Sequence, residues 1–345
     1  MKYKQIKEGA IKLFVPVADR IYDAPVFYNP KMITNRDISI LLLRALGKKF
    51  YCMDLLAGTG VRGLRIKKEL SGAQVDLNDK NPFAYKLIKK NASFNKLKVN
   101  VTKANAEFRL ADYKQVYNYI DVDPFGTPVP FLDSAVKALK WKSGILGVTA
   151  TDTSALAGTY AKACKRKYGS VPLRNELMHE IGIRILIKKV QEVAAQYEIA
   201  LTPIFCHSTL HYMRVYLRVD SGAKKTDKIL EQIGMHKNAG PMWLGDLWDE
   251  KLVKQMHKLI SKTAVAQETI KLMQIILDES KIKTLGFYNI HKLAKKYKLK
   301  QVPKFDLIIQ NLKKNKYKAA RTHFSDKGIR TSAPLKTLIK ILKKI

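Results

Sequence analysis

The sequence predicts an α/β protein: a doubly wound sheet over residues 1–220, then a smaller basic α+β domain of winged-helix-like order over residues 221–345. Three observations predict it. Short apolar runs of strand length alternate with helical stretches through the first 220 residues, the pattern of a sheet with helices on both faces. A cluster of polar and small residues, DSGAKKTDK at 220–228, then marks a boundary. Beyond it the charge rises and the order of elements changes. A length of 345 residues suits two domains of this kind.

The strand candidates are FYCMDLL (50–56), QVDLND (74–79), YNYIDVD (117–123), GILGVTATD (144–152) and MRVYLRV (213–219). Between them lie the helical stretches VRGLRIKKEL, AYKLIKKNASFN, FLDSAVKALKW and NELMHEIGIRILIKKVQEVAAQY. In the C-terminal part, Ile290, Leu293, Ala294 and Tyr297 recur at helical spacing. Pro303 opens a second helical stretch with Phe305, Ile308, Ile309 and Leu312 on one face. KYKAARTHF, a turn at Ser325–Gly328 and IRTSA read as a hairpin, and Leu335–Ile345 as a last helix. Helix, helix, hairpin, helix is an order common in nucleic-acid-binding modules.

Composition narrows the partners. The chain holds 64 Lys+Arg against 29 Asp+Glu, a net charge of +35, yet it is 46% hydrophobic and so too apolar for a disordered polycation. A folded protein this basic is expected to meet a polyanion, nucleic acid before an acidic membrane surface. The last 65 residues carry 19 Lys+Arg and two acids, Asp306 and Asp326. Cys52, Cys164 and Cys206 are far apart and make neither a disulfide framework nor a C-x-x-C site. No run of about 18 apolar residues suggests a membrane span, and MKYKQIKEGAIKLFVP lacks the apolar region of a signal peptide. The chain is expected to be cytoplasmic, without a metal and without an obligate protein partner.

Two motifs carry the chemistry. The 50–56 strand leads into Gly58-Thr59-Gly60-Val61-Arg62-Gly63, which fits G-x-G-x-x-G between strand and helix. Asp54 precedes the loop. Asp79 ends the next strand, where it can take both ribose hydroxyls of an adenosine. NAD and S-adenosylmethionine (SAM) both satisfy that geometry. The second motif, Asp121-Val122-Asp123-Pro124-Phe125-Gly126, closes the 117–123 strand at the edge where such sheets bind ligands. Acid–Pro–aromatic here resembles the D-P-P-Y or N-P-P-Y signature of methyltransferases that act on exocyclic amines of bases, and it favours SAM. The amino group of a base is conjugated into the ring, so an oxygen acceptor on its N–H draws electron density onto nitrogen and takes a proton. Proline fixes the backbone, and the aromatic stacks on a base brought out of its helix. Asp121 reads equally as a second site acid or as a satisfied buried one.

These and further stretches resemble the tRNA (guanine-26-N2)-dimethyltransferase family, archaeal type. The others are Asp23–Pro30, Asn35-Arg36-Asp37, Thr151-Asp152-Thr153, Arg174–Glu180, Gly240–Gly245 and Arg321–Ser325, in one order along the chain. The resemblance implies a Rossmann-like SAM-dependent methyltransferase domain that adds one and then a second methyl to N2 of a guanine in tRNA. It implies that Arg36 and Arg62 contact the methionine end of SAM and that Asp79 holds the ribose. Asn105 and Ala106 would lie by the adenine, Asp123 would be the catalytic acceptor, and Phe27 and Phe125 would sandwich the flipped guanine. Two departures stand out. Asn105 occupies the place where an acid is expected, in a short stretch between Phe94 and Tyr117. The segment before Gly240 also lacks the paired Cys that some members carry. The rival readings are an amino-methyltransferase for rRNA or DNA, a non-catalytic RNA-binding protein on the same scaffold and, weakest, a nicotinamide oxidoreductase.

Overall fold

The structure, a computed structural model, describes every residue except Met1, Asp19, Ile21, Tyr22 and Lys48. Strands β1 (Tyr3–Glu8) and β2 (Ile11–Pro16) form an N-terminal hairpin, and helix α1 (Ile33–Leu46) follows. Strand and helix then alternate: β3 (Tyr51–Asp54), α2 (Val61–Glu69), β4 (Gln74–Asn78), α3 (Pro82–Phe94), β5 (Asn100–Thr102), α4 (Ala106–Arg109), β6 (Tyr119–Val122), α5 (Leu132–Ala138) and β7 (Ile145–Ala150). After α6 (Thr153–Leu156), α7 (Ala161–Tyr168) and α8 (Met178–Ala195), β8 (Ile199–Thr209) and β9 (Tyr212–Ser221) complete the sheet.

That sheet has seven strands in the order β5-β4-β3-β6-β7-β9-β8. The first five are parallel, and β9 runs antiparallel between β7 and β8. The chain winds outward from β3 to β5, then returns to place β6 on the other side of β3. The carboxyl ends of β3 and β6 therefore flank the point where the strand order reverses, the usual ligand crevice of an open α/β sheet. All five expected strands lie in this sheet. β8 was not expected. It carries Pro203, and its register slips between Pro203 and Phe205, which breaks the alternation a strand search relies on.

Helix α8 shows how burial and polarity are combined. It packs apolar side chains on both sides of a buried polar stripe: Glu180, Arg184, Lys188 and Gln191, spaced three or four apart along one face. Each is engaged by a neighbour, though Gln191 Oε1 is buried without a partner among the described residues. Arg184 donates to the carbonyls of Trp243 and Gly245, Lys188 to that of Tyr168 and Gln191 to that of Leu201. The stripe thus ties the sheet to the segment beyond residue 221.

That segment holds α9 (Ala223–Leu230), β10 (Ile233–His236), β11 (Ala239–Trp243), α10 (Glu250–Lys258) and α11 (Gln267–Glu279). Its apolar side chains, among them Ile229, Met242, Trp248, Met256 and Ile276, join the same core as the sheet. A separate small core starts at Ile290. It gathers side chains from β12 (Tyr288–Asn289), α12 (Ile290–Lys296), α13 (Phe305–Lys314), β13 (Ala319–Thr322), β14 (Ser325–Thr331) and α14 (Leu335–Lys344). The order helix, helix, hairpin, helix is present, with β12 added to the edge of β14. The hairpin turns earlier than expected. Thr322 faces Ser325, so His323 and Phe324 make the turn, and the 325–328 segment belongs to β14.

Candidate active site

A cavity of about 280 Å³ opens at the carboxyl ends of β3, β4 and β6, close to the size of small-molecule pockets. Its lining includes the expected Phe27, Arg36, Arg62, Asp79, Asp123 and Phe125. The glycine loop forms its floor. Gly58 has φ of +54° and Gly60 +80°, values a side chain disfavours, and a Cβ on Gly58 would stand 3.1 Å from the Phe27 carbonyl oxygen. Asp79 accepts from the backbone N–H of Gly58 at 2.8 Å and of Asn81 at 2.9 Å. One lone pair on each oxygen stays available for a vicinal diol. Thr59, also in the lining, keeps its hydroxyl buried without a partner among the described residues.

Asn105 and Ala106 stand apart from the other expected site residues. Neither lines the cavity. The Asn105 side chain turns onto its own chain, where it accepts from the Glu107 N–H at 3.0 Å and caps α4. The Ala106 methyl is buried in the main core.

Arg36 and Arg62 border the cavity but are already engaged. Arg36 donates from Nε and Nη2 to the Glu8 carboxylate, both at 2.6 Å, and from Nη2 to the Asn29 carbonyl. Its Nη1 has no partner among the described residues. Arg62 donates from Nη1 to Asn35 Oδ1 and Ser39 Oγ, and from Nη2 to Asp123; its Nε lies 3.2 Å from Asp121. Burial opposes the Arg62 charge, but Asp121 and Asp123 hold it protonated.

Three acids converge on this cation. Burial and the charge of Asp121 raise Asp54 to about 7; its Oδ2 accepts from the Gly63 N–H at 3.0 Å. Asp121 has the opposite fate: burial pushes it up, but Arg214 and Arg62 outweigh that and hold it below the usual range. Of the two readings of Asp121, the buried, satisfied acid is the one seen, since it is fully buried and outside the cavity lining. Asp123 reaches the cavity.

Phe27 and Phe125 meet edge to face, with ring centroids 4.5 Å apart and planes at 82°. A base between two parallel rings needs about 7 Å, twice a stacking contact. The two rings are therefore brought together, but the slot between them is shut. Phe125 is 65% exposed, and Gly126 follows it at φ +80° with open space around its Cα, so the aromatic has room to turn.

Sequence reading missed Glu8, Ser39 and Arg214. Arg214 carried a signal, as a cation flanked by apolar residues in a strand is rarely buried without a partner. Glu8 and Ser39 carried none, for their roles arise only when distant segments meet. The Asn35-Arg36-Asp37 triplet is a hub: Asn35 meets Arg62, Arg36 meets Glu8, and Asp37 takes Arg65, the Ala266 N–H and the Thr269 hydroxyl.

The sequence model of a family described as N2,N2-dimethylguanosine tRNA methyltransferase matches residues 9–238 and 234–343. The chain belongs to this family. A relative from Methanocaldococcus jannaschii named tRNA (guanine(26)-N(2))-dimethyltransferase is 39% identical, over 98% of each chain. One from Aquifex aeolicus, named tRNA (guanine(26)-N(2)/guanine(27)-N(2))-dimethyltransferase, is 36% identical over 99% of this chain and 96% of its own. The solved complex of Trm1 from Pyrococcus horikoshii with S-adenosyl-L-methionine superposes with a TM-score of 0.91. It is 36% identical and covers 99% of this chain and 100% of its own. Among the described residues, no helix is long and apolar enough to cross a membrane.

Proposed function

We propose that this protein is a SAM-dependent tRNA methyltransferase of the cytoplasm that forms N2,N2-dimethylguanosine at guanine-26. The observation that carries the reading is one cavity wall bearing both Asp79 and the Asp123-Pro124-Phe125 element, in a chain that matches dimethyltransferases along its whole length. The residues present suit SAM. Asp79 can accept the ribose hydroxyls, the Gly58 position admits a close-lying ligand, and the buried Thr59 hydroxyl lacks a partner. Arg36 through Nη1, and Arg62 through its remaining N–H, would take the methionine carboxylate.

When bound, SAM supplies a methyl on a sulfonium: the S–C bond breaks as the C–N2 bond forms, and sulfur keeps the electron pair. Asp123 accepts the N2–H hydrogen bond of the guanine and takes that proton as the amine becomes bonded to carbon. Phe27 and Phe125 part to stack on the two faces of the base and fix N2 in line. No covalent enzyme–base link is needed, because N2 is itself the nucleophile. The basic lobe from residue 290 holds the tRNA by its phosphates. A second groove supports a shared footprint. Its lining includes Arg174, His179, Ser208, Asn289, Lys292 and His323, so the basic lobe and the β8–β9 turn share it. Since Met213 pairs with Ala150, that turn lies at the sheet edge where β3 and β6 end.

Asp123→Ala is expected to lower methyl transfer at least about 100-fold, read by mass spectrometry of tRNA nucleosides, while tRNA binding persists. Undiminished turnover would remove the role assigned to Asp123. Labelled product from rRNA or DNA, but not from tRNA, would favour a different nucleic-acid substrate.

A further inference from the structure

The charge cluster beneath Asp123 is more elaborate than the transfer step requires. Asp121 lies two residues before Asp123 and is fully buried. Arg214 of β9 donates to it through Nη1 and Nη2, and Tyr119 donates its hydroxyl. Arg214 is itself fixed by Thr149 Oγ1 at 2.9 Å and the Tyr119 oxygen at 3.0 Å. On its other side Asp121 faces Arg62 Nε at 3.2 Å. Arg62 then spends Nη1 on Asn35 and Ser39 and turns Nη2 to Asp123.

A guanidinium is planar and offers its N–H groups in a fixed fork. Held on the Nε side by Asp121 and on the Nη1 side by Asn35 and Ser39, it leaves Nη2 one direction, toward Asp123. The Asp123 side chain is 15% exposed, and Arg62 is its ion-pair partner. Without that grip the carboxylate of a strand-end residue is free to rotate. Without the Arg214 charge, Asp121 would be a buried acid with too little compensation to stay ionised, and its pull on Arg62 Nε would weaken.

We propose that Arg214, acting through Asp121 and Arg62 with Tyr119 as brace, is a positioning residue for Asp123. The inference rests on Asp123 as the proton acceptor of the proposed reaction. It has a consequence for the second methyl. Unmodified guanine presents two N–H bonds, so a poorly aimed carboxylate still finds one. The singly methylated amine presents one, and only in one rotamer. Alignment of Asp123 therefore matters most for the second transfer.

The test is single-turnover methylation of tRNA at saturating SAM and saturating enzyme, with nucleosides quantified by mass spectrometry. Tyr119→Phe removes one buried oxygen and keeps the ring, so it serves if Arg214→Lys fails to fold; melting curves establish folding for both. Tyr119→Phe is expected to slow transfer about three- to ten-fold, the effect of one lost hydrogen bond. Arg214→Lys is expected to slow it up to about 100-fold, the effect of a misplaced catalytic group. In both, affinity for tRNA stays unchanged, the slowing persists at saturating SAM, and singly methylated guanosine accumulates relative to the dimethylated product. Folded variants with wild-type rate and product ratio would overturn the inference, as would a rate loss that saturating SAM restores. Asp123→Ala separates the levels. If it stays active, the underlying reading fails; if it is inactive while the other two match wild type, only the relay fails.

Discussion

Asp54 and Asp121 stand side by side on neighbouring strands, yet they hold their protons oppositely. Asp121 has two arginines, whereas Asp54 has one backbone N–H and a share of Arg62. The elevated affinity of Asp54 has a definite sign for stability. Its folded value of about 7 lies above the ordinary 3.8, so folding favours the protonated form. The contribution is complete below about pH 4 and is lost as pH rises through 7. Asp54→Asn cannot ionise. The melting temperature of the variant relative to wild type should climb between pH 4 and 7 and then level off. A constant difference across that range would show Asp54 ionised in both states. Phe125 gives a second prediction at this scale. Stacking on a base is worth about 1–3 kcal/mol, so Phe125→Ala should lower kcat/KM for tRNA by about 10–100-fold and leave SAM affinity intact. Equal losses for both ligands would place Phe125 in the cofactor pocket instead.

At the scale of elements, the strand–loop–helix from β3 to α2 is defined by close packing. A Cβ on Gly63 would lie 2.8 Å from Leu77 Cδ2 and 3.2 Å from Asp54 Oδ2, so α2 rests directly on β4. Gly63→Ala should cost about 1–3 kcal/mol through overpacking, seen as a lower denaturation midpoint, and should weaken SAM binding because the loop shifts with the helix. An unchanged midpoint would mean that α2 has room to spare. This unit was legible in the sequence because its constraint is local: strand, three glycines and helix are contiguous, and Asp79 follows at a fixed interval. The N-terminal hairpin and β8 were not legible. The hairpin is stabilised by remote groups, such as the Asn91 side chain that accepts from the Phe14 N–H, and β8 is broken by Pro203. Of the site, Asp123, Phe125 and Asp79 could be read because they belong to short motifs. Arg214 takes its role from β9 joining the sheet beside β7, a pairing no local pattern encodes. Asn105 and Ala106 lie in a stretch, 95–117, with little periodicity, where their side chains serve a helix cap and the core.

Across the whole molecule the positive charge is divided between two uses. Of the 19 Lys+Arg beyond residue 280, Arg330 is buried and the other 18 are exposed. Arg330 binds Glu180 of α8 and Glu279 of α11, and His323 and Thr322 bind Glu279 as well. The Arg174–Glu180 and Arg321–Ser325 motifs thus meet at the lobe junction rather than at the cavity lined by Asp79 and Asp123. Burial raises Glu279, but His323 and Arg330 bring it down to about 2, so Glu279 stays ionised at any ordinary pH. Truncating the basic lobe would strand two buried carboxylates, at a cost of several kcal/mol, and would confuse loss of grip with loss of fold. We therefore test the grip on exposed cations. Lys295, Lys300, Lys313 and Lys314 are exposed in and around the first two helices of the basic lobe. Changing all four to Gln should leave the melting curve near wild type, since exposed ion pairs contribute little. It should weaken tRNA binding and reduce the slope of log Kd against log salt by up to about one for each lysine that meets a phosphate. The rate of methyl transfer at saturating tRNA should hold, because these side chains lie on the other lobe from Asp123. An unchanged slope with intact fold would move the tRNA grip off this lobe and onto the cations around the sheet edge.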